Sequence, residues 1–169
     1  MPDKETIERA REDKRRGRAA STQAGEFVKE EMDHIREGKH GARSTKQAIA
    51  IGLSKARRAG IEVRPPARGK TSDSTRRKAQ RDYARGHGAR PSRRGGARRS
   101  AVTSGALRRE PHSSASRRAL GAQAHASAGR RSRSERSAAA QQASRTKGRR
   151  VRSAAARKAA RTRAAHRRT

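Results

Sequence analysis

The sequence predicts a mostly α fold: a small helical hairpin over about residues 22–37 and 45–59, an N-terminal helical arm before it, and a long disordered basic tail after it. Three observations carry this expectation. One stretch, Ser44 to Ile61, has a helix start, an apolar spacing and a helix stop that agree with one another. Hydrophobic residues make up 29% of the 169 and aromatic ones 1%, with Phe27 and Tyr83 the only phenyl or phenol rings. Most of the chain therefore lacks the apolar surface needed to offset the entropy of ordering. Charge is divided unevenly: residues 1–63 carry a net +4 and residues 64–169 a net +28. The break falls at Arg64-Pro65-Pro66, where two prolines stop any helix.

The arm runs from about Asp3 to Arg16 and ends at Gly17. Glu5–Arg9 and Glu12–Arg16 are attractive i,i+4 pairs and Glu8–Glu12 a repulsive one. With only Ile7 and Ala10 apolar, the arm reads as a frayed, solvated helix. Ser21 or Thr22 is placed to cap a second helix that reaches about Glu37, with Gly38 as its stop. Ala24, Phe27, Val28, Met32 and Ile35 give it an apolar face, and Glu26, Lys29, Glu30, Asp33 and Arg36 are assigned to the opposite, solvent face.

Ser44 and Gln47 have the spacing of a capping box for the third helix. Ile49, Leu53 and Ala56 define its apolar stripe, widened by Ala48 and Ile51. Gly60 is placed for the left-handed residue that ends a helix, with Ile61 folding back, and Arg57 and Arg58 suit the negative end of the dipole. The short link Gly38–Arg43 suits antiparallel neighbours, so Phe27, Met32 and Ile35 are expected to meet Ile49, Leu53 and Ile61.

Past residue 63, arginine supplies 28 of 32 cations, set in pairs among Ser, Ala and Gly, and the segment reads as low-complexity. Ser137–Ala143 and Arg152–Ala165 have helix propensity but no apolar face, so they are expected to be helical transiently or when bound. The net charge of +32 points to a polyanion, nucleic acid before an anionic membrane. The absence of cysteine excludes disulfides and thiolate zinc sites, and no apolar run is long enough to predict a membrane span. The opening Met-Pro-Asp-Lys-Glu-Thr-Ile-Glu lacks the apolar core of a secretory signal, so a cytoplasmic protein is expected.

The candidate phosphate contacts are Arg76, Arg77, Lys78, Arg93, Arg94, Arg98, Arg99, Arg117, Arg118, Arg130, Arg131, Arg149, Arg150, Arg157 and Lys158. Arginine adds bidentate hydrogen bonding to phosphate, and each engaged cation releases condensed counterions. No aromatic residue follows Tyr83, which disfavours base stacking and favours sequence-tolerant binding of a duplex or of structured RNA. A second candidate is the loop Gly38-Lys39-His40-Gly41-Ala42-Arg43, where two glycines would let backbone amides approach a phosphate beside Lys39, Arg43 and Lys46. Its Gly-x-x-Gly pattern resembles the clamping loop of KH domains, without that fold's strands.

Arg131-Ser132-Arg133-Ser134 is one short instance of the arginine–serine pattern. His34 and His40 lie near Asp33, but without a cysteine or an i,i+4 histidine pair they read as surface residues, and no metal or cofactor is expected. No nucleophile–base pair, phosphate-binding Walker loop or carboxylate dyad is found, so no enzyme is expected.

The segment Ala42–Gly60, with its Ser-Thr-Lys-Gln-Ala-Ile-Ala-Ile-Gly-Leu-Ser-Lys-Ala-Arg-Arg-Ala-Gly run, resembles the signature of a small bacterial family of unknown function. That resemblance covers residues 1–63 and implies a bacterial cytoplasmic protein without a known active site. The tail resembles, in composition alone, the basic tails of linker-histone-like bacterial proteins. Together these lead to the expectation of a sequence-tolerant, nucleoid-associated DNA-binding protein. The rival expectations are an RNA-binding or ribosome-associated protein, or an adaptor that docks a partner or a second copy through its hairpin.

Overall fold

A computed structural model describes residues 2–89, 96–146 and 148–166. Among these there are helices and turns and no strand. The helices are α1 (Lys4–Arg15), α2 (Ala20–Arg36), α3 (Thr45–Arg58), α4 (Asp73–Gly86), α5 (Gly96–Arg108), α6 (Arg117–Gly129), α7 (Arg133–Thr146) and α8 (Arg149–His166), with a 3-10 turn at His112–Ala115. The fold is therefore mostly α. The chain divides into two compact units, Met1–Gln123 and Ala124–Thr169.

In the first unit, α2 is the central element, with α1, α3 and the 3-10 turn packed on it and α4 packed on α3. Two apolar clusters fill the spaces between them. Ala10, Ala24, Phe27, Ala56 and Ile61 form one, flanked by Ile7, Leu53 and Val63. Met32, Ile35, Ala42, Ala48 and Ala115 form the other, flanked by Val28, Ile49 and Leu120. The early part of α2 thus meets the late part of α3, and the late part of α2 meets the early part of α3, so the two run antiparallel.

Helix ends follow local signals. Ser44 Oγ accepts the Gln47 N–H at 3.3 Å. The reciprocal bond is shifted by one residue, because Gln47 Oε1 accepts from the Arg43 N–H at 3.1 Å and not from Ser44. Gly17, Gly38 and Gly60 all have positive φ. At Gly60 the chain closes a Schellman motif: Ile61 N–H donates to the Ala56 carbonyl at 3.1 Å and Gly60 N–H to the Arg57 carbonyl at 3.0 Å. The start of α2 differs from expectation. It begins at Ala20 with Ala19 as an uncapped N-cap, and Gln23 Nε2 instead bonds the Arg18 carbonyl at 2.8 Å.

Three further differences have physical causes. The arm is docked rather than solvated: Thr6 and Ala10 are buried against α2, and Arg9 Nε reaches Glu26 Oε2 at 2.7 Å. Because α1 covers that flank, Glu30 lies inside and not on the solvent face. The buried centre of α3 is Thr45, Ala48, Gly52 and Ala56, with Ile49, Ile51 and Leu53 only partly covered. Small residues occupy the seam because the backbones meet there, and a Cβ on Gly52 would stand 2.7 Å from Val28 Cα.

Past residue 63 the described residues are largely helical. α4 is capped by Ser72, whose Oγ accepts the Thr75 N–H at 3.3 Å, and buries Ala79. Among the described residues of α7 and α8 none is buried. Their conformation follows the high helix propensity of Ala and Arg and, at α7, a capping box in which Ser132 and Glu135 exchange bonds of 3.1 and 2.8 Å.

The Gly52 contact generates a paired expectation. Gly52→Ala pushes a methyl into the Val28 backbone and should cost about 1–3 kcal/mol, as overpacking does. Gly25→Ala, in the same unit and with nothing within 4 Å of its new methyl, should stabilise by about 0.5–1 kcal/mol. Thermal melts of the full chain followed by circular dichroism would show opposite shifts. Equal shifts would mean that the seam is not closely packed.

Candidate nucleic-acid interface and a buried polar cluster

The structure exposes most of the candidate cations. Lys39, Arg43, Lys46, Arg77, Lys78, Arg117, Arg118, Arg130, Arg131, Arg149, Arg150, Arg157 and Lys158 are all exposed. Arg76 is half-buried, with its Nε 3.5 Å from Asp73. Arg98 and Arg99 fall within α5, and Arg93 and Arg94 lie outside the described residues. No short segment gathers these cations: Lys39, Arg43 and Lys46 lie around the start of α3, and the others follow the chain from α4 to α8. Sequence-tolerant phosphate contact needs such a dispersed array of fork-shaped donors.

The glycine loop behaves differently from expectation. Its amides are already bonded within the protein: Gly41 N–H donates to the Leu107 carbonyl at 2.8 Å and Ala42 N–H to the Pro111 carbonyl at 3.1 Å. A Cβ on Gly41 would overlap the Glu110 carbonyl, so the loop lies flush on residues 107–111. Thr45 Oγ1 and Arg36 Nε bond the Ser114 and Ala115 carbonyls at 2.6 and 3.1 Å and hold the following segment against α2 and α3. Gly41 therefore serves close chain packing and Gly38 a left-handed turn. Lys39 is itself paired, with Nζ 2.9 Å from Glu37.

Sequence reasoning missed a polar cluster beneath this loop. Glu31 is fully buried and Glu30 nearly so. Lys55 of α3 places its Nζ 3.0 Å from Glu30 Oε1 and 2.8 Å from Glu31 Oε2. Burial is the largest influence on Lys55 and disfavours its charge, but the two carboxylates outweigh it and raise its pKa above the ordinary lysine value. For Glu30, burial again is the largest influence and raises the pKa. Bonds from Lys55, Thr6 and the Asp3 amide together overcome it and hold the carboxyl below its usual value.

His34 and His40 are not surface residues; their side chains are 14% and 19% exposed and their rings meet edge-on with centroids 6.3 Å apart. Spacing along a helix would separate them, but the left-handed turn at Gly38 reverses the chain and returns His40 to α2. The one local signal available was Glu31 itself, which falls in the middle of the Phe27–Ile35 face. Asp33, by contrast, turns outward to Lys29 and Arg36.

A third polar site docks α4. Tyr83 Oη donates to Glu62 Oε2 at 2.5 Å, and His87 Nε2 lies 2.7 Å from Glu62 Oε1. His87 Nδ1 lies 2.8 Å from the Tyr83 carbonyl, and the two rings stack with centroids 4.0 Å apart. Both imidazole nitrogens face acceptors, which favours the doubly protonated ring. The His87 pKa is raised, first by the Tyr83 carbonyl and then by Glu62, against partial desolvation and a smaller opposing effect of Lys14. The Glu62 pKa is lowered, first by the Tyr83 hydroxyl and then by His87.

Residues 11–68 match the model of a family of unknown function, DUF6496. The match includes all of α2 and α3 and the run Ala42–Gly60, and it stops before α4. Neither a curated protein nor a solved structure matches the chain.

The α4 contact has a definite pH dependence. A raised His87 pKa contributes stability that is full below the unfolded value of about 6.5 and is lost as pH rises through the folded value. The lowered Glu62 pKa contributes stability that is present above the unfolded value of about 4.3 and is lost as pH falls through the folded one. Fluorescence of Tyr83, the only tyrosine, should report the tightest docking between these two limits. His87→Gln should flatten the alkaline limb and leave the acid limb in place. An unchanged alkaline limb would remove His87 from the contact.

Proposed function

We propose that this protein is a bacterial, nucleoid-associated DNA-binding protein of histone-like character, which holds the phosphate backbone through its arginine-rich segment and carries out no catalysis. One observation carries the reading: +28 of the +32 net charge lies past residue 63, and nearly all candidate cations described there are exposed. At that charge density, counterion release dominates binding and gives little dependence on base sequence. The α2–α3 hairpin then supplies a contact to a second copy or a protein partner, while the tail supplies affinity. No described helix is long and apolar enough to cross a membrane.

In this reading the tail is loosely held in the free protein and gains order on DNA. Like charges at i,i+4, as at Arg157 and Arg161 of α8, oppose the helix until phosphates neutralise them. The second unit alone carries a net +14.

Salt-dependent binding tests the proposal. If roughly ten phosphates are neutralised, log affinity for a DNA duplex should fall with log salt at a slope of about −9. A chain ending at Gln123 should bind more weakly and with a shallower slope. A slope near zero for the full chain, or undiminished affinity after truncation, would refute the tail as the anchor. Preference for folded RNA over the duplex at equal salt would transfer the reading to RNA.

A further inference from the structure

The cluster under the Gly38–Arg43 loop has the makings of a site that the nucleic-acid reading does not use. His34 Nε2 lies 3.2 Å from Asp3 Oδ2. A carboxylate only accepts, so Nε2 carries the proton and Nδ1 is left as the inward nitrogen. His40 Nδ1 lies 3.2 Å from the Gly41 carbonyl, which also only accepts, so Nε2 is the inward nitrogen there. Each imidazole is thus oriented by an outer acceptor, the arrangement that fixes the tautomer of metal-binding histidines.

The inward nitrogens both face carboxylates. His40 Nε2 is 3.3 Å from Glu31 Oε1, and His34 Nδ1 is 4.0 Å from Glu30 Oε1. In its neutral form each would set a lone pair against a carboxylate oxygen, which is repulsive unless a cation lies between them.

Glu31 gives the second, independent observation. It is fully buried, and neither carboxylate oxygen has an aligned hydrogen-bond donor, although Lys55 stands beside Oε2. A buried carboxylate in that condition is costly without a further cation. Ligand atoms of Glu31, His34 and His40 all lie within 4.8 Å of one another. With neutral imidazoles, Asp3, Glu30, Glu31 and Lys55 leave the cluster at a net −2, matched by one divalent ion. Of the three, His34 lines a surface cleft of about 210 Å³ together with Asp3 and Glu30, and Glu31 and His40 lie behind it.

We propose that Glu31 Oε1, His34 Nδ1 and His40 Nε2 bind one divalent transition-metal ion of the zinc class. Two imidazoles and a carboxylate suit such an ion better than the hard, all-oxygen preference of calcium or magnesium. Lys55 keeps its place on Glu31 Oε2, so the carboxylate binds through one oxygen. The ion ties the loop to α2 and thereby fixes the segment that carries Lys39 and Arg43. This proposal stands independently of what the tail binds.

The test uses the full chain, freed of metal by a chelator and titrated with zinc chloride by calorimetry. Cobalt(II) serves as a spectroscopic reporter of nitrogen and oxygen coordination. One ion per chain is expected, with an affinity that falls at least about tenfold in His34→Gln and in His40→Gln, while His87→Gln and His125→Gln leave it unchanged. Circular dichroism of the metal-free variants checks that their helices remain. Ring NMR of the unsubstituted chain needs no variant: zinc should shift His34 Nδ1 and His40 Nε2 and leave the other histidines in place. Absence of a stoichiometric site, affinity unchanged in His40→Gln, or shifts confined to other histidines would overturn the proposal. In that case the cluster is a set of histidine–carboxylate contacts and nothing more.

Discussion

The first unit depends on the approach of two helix backbones at Gly52. With Phe27 the only large aromatic side chain in its core, this part of the protein cannot fill a wide gap between helices. It closes the gap instead, setting Ala48, Gly52 and Ala56 against α2 so that backbone atoms supply contacts that larger side chains would otherwise make. The same closeness decides where charge goes. Lys55, one turn beyond Gly52, is carried under α2 within reach of Glu30 and Glu31. Two adjacent buried carboxylates are untenable without a cation between them, so helix spacing and the ion cluster are one arrangement. The arm completes it, since Thr6 and the Asp3 amide bond Glu30 from the other side.

This interdependence explains what was legible beforehand. Signals contained within a few residues could be read: the Ser44–Gln47 cap and the glycine stops at Gly17, Gly38 and Gly60 lie where local chemistry requires them. Rules that assume an apolar interior misplaced the charged residues. The amphipathic pattern of α2 puts Glu30 on the face opposite its apolar residues, yet its partners sit on α1 and α3, far along the chain. Of the stripe expected from Ile49, Leu53 and Ala56, widened by Ala48 and Ile51, only the two alanines are buried; helical spacing alone does not single out Gly52, where the backbones meet. The site at His34 and His40 was hidden for a geometric reason. It exists only after Gly38 turns the chain back, and helical spacing carries no trace of that turn.

The segments past residue 63 show a second way of making helices. α4 docks with little apolar area: Ala79 is buried, and the rest is polar, from Ser54 Oγ to Asp82 Oδ2 at 2.7 Å and from Tyr83 and His87 to Glu62. Nothing in its own sequence announces a buried face, which is why it could not be separated from the tail. α7 and α8 go further and rest on caps and propensity. Ser132, read first as part of an arginine–serine pattern, is the N-cap of α7 with Glu135 as its reciprocal partner. The exposed arginines, by contrast, were legible from composition, because guanidinium groups are almost never buried unpaired.

The disposition of the acids bears most directly on function. A polycation that carries its own anions competes against any external polyanion, and eleven acidic residues in residues 1–63 would be strong competitors if they were free. Many are engaged at short range: Glu26 with Arg9, Asp33 with Lys29 and Arg36, Glu30 and Glu31 with Lys55. Three of the four acids past residue 63 are engaged as well: Asp73 holds Arg76, Asp82 binds Ser54 and Arg58, and Glu135 caps α7. Each is committed to local structure and therefore contributes little as a counterion to distant arginines. Residues 1–63 thus keep a net charge of only +4, while the described arginines of α6 to α8 face solvent, where condensed anions serve as their counterions. In the proposed reading, exchange of those anions for a phosphate backbone is what makes the binding depend on salt.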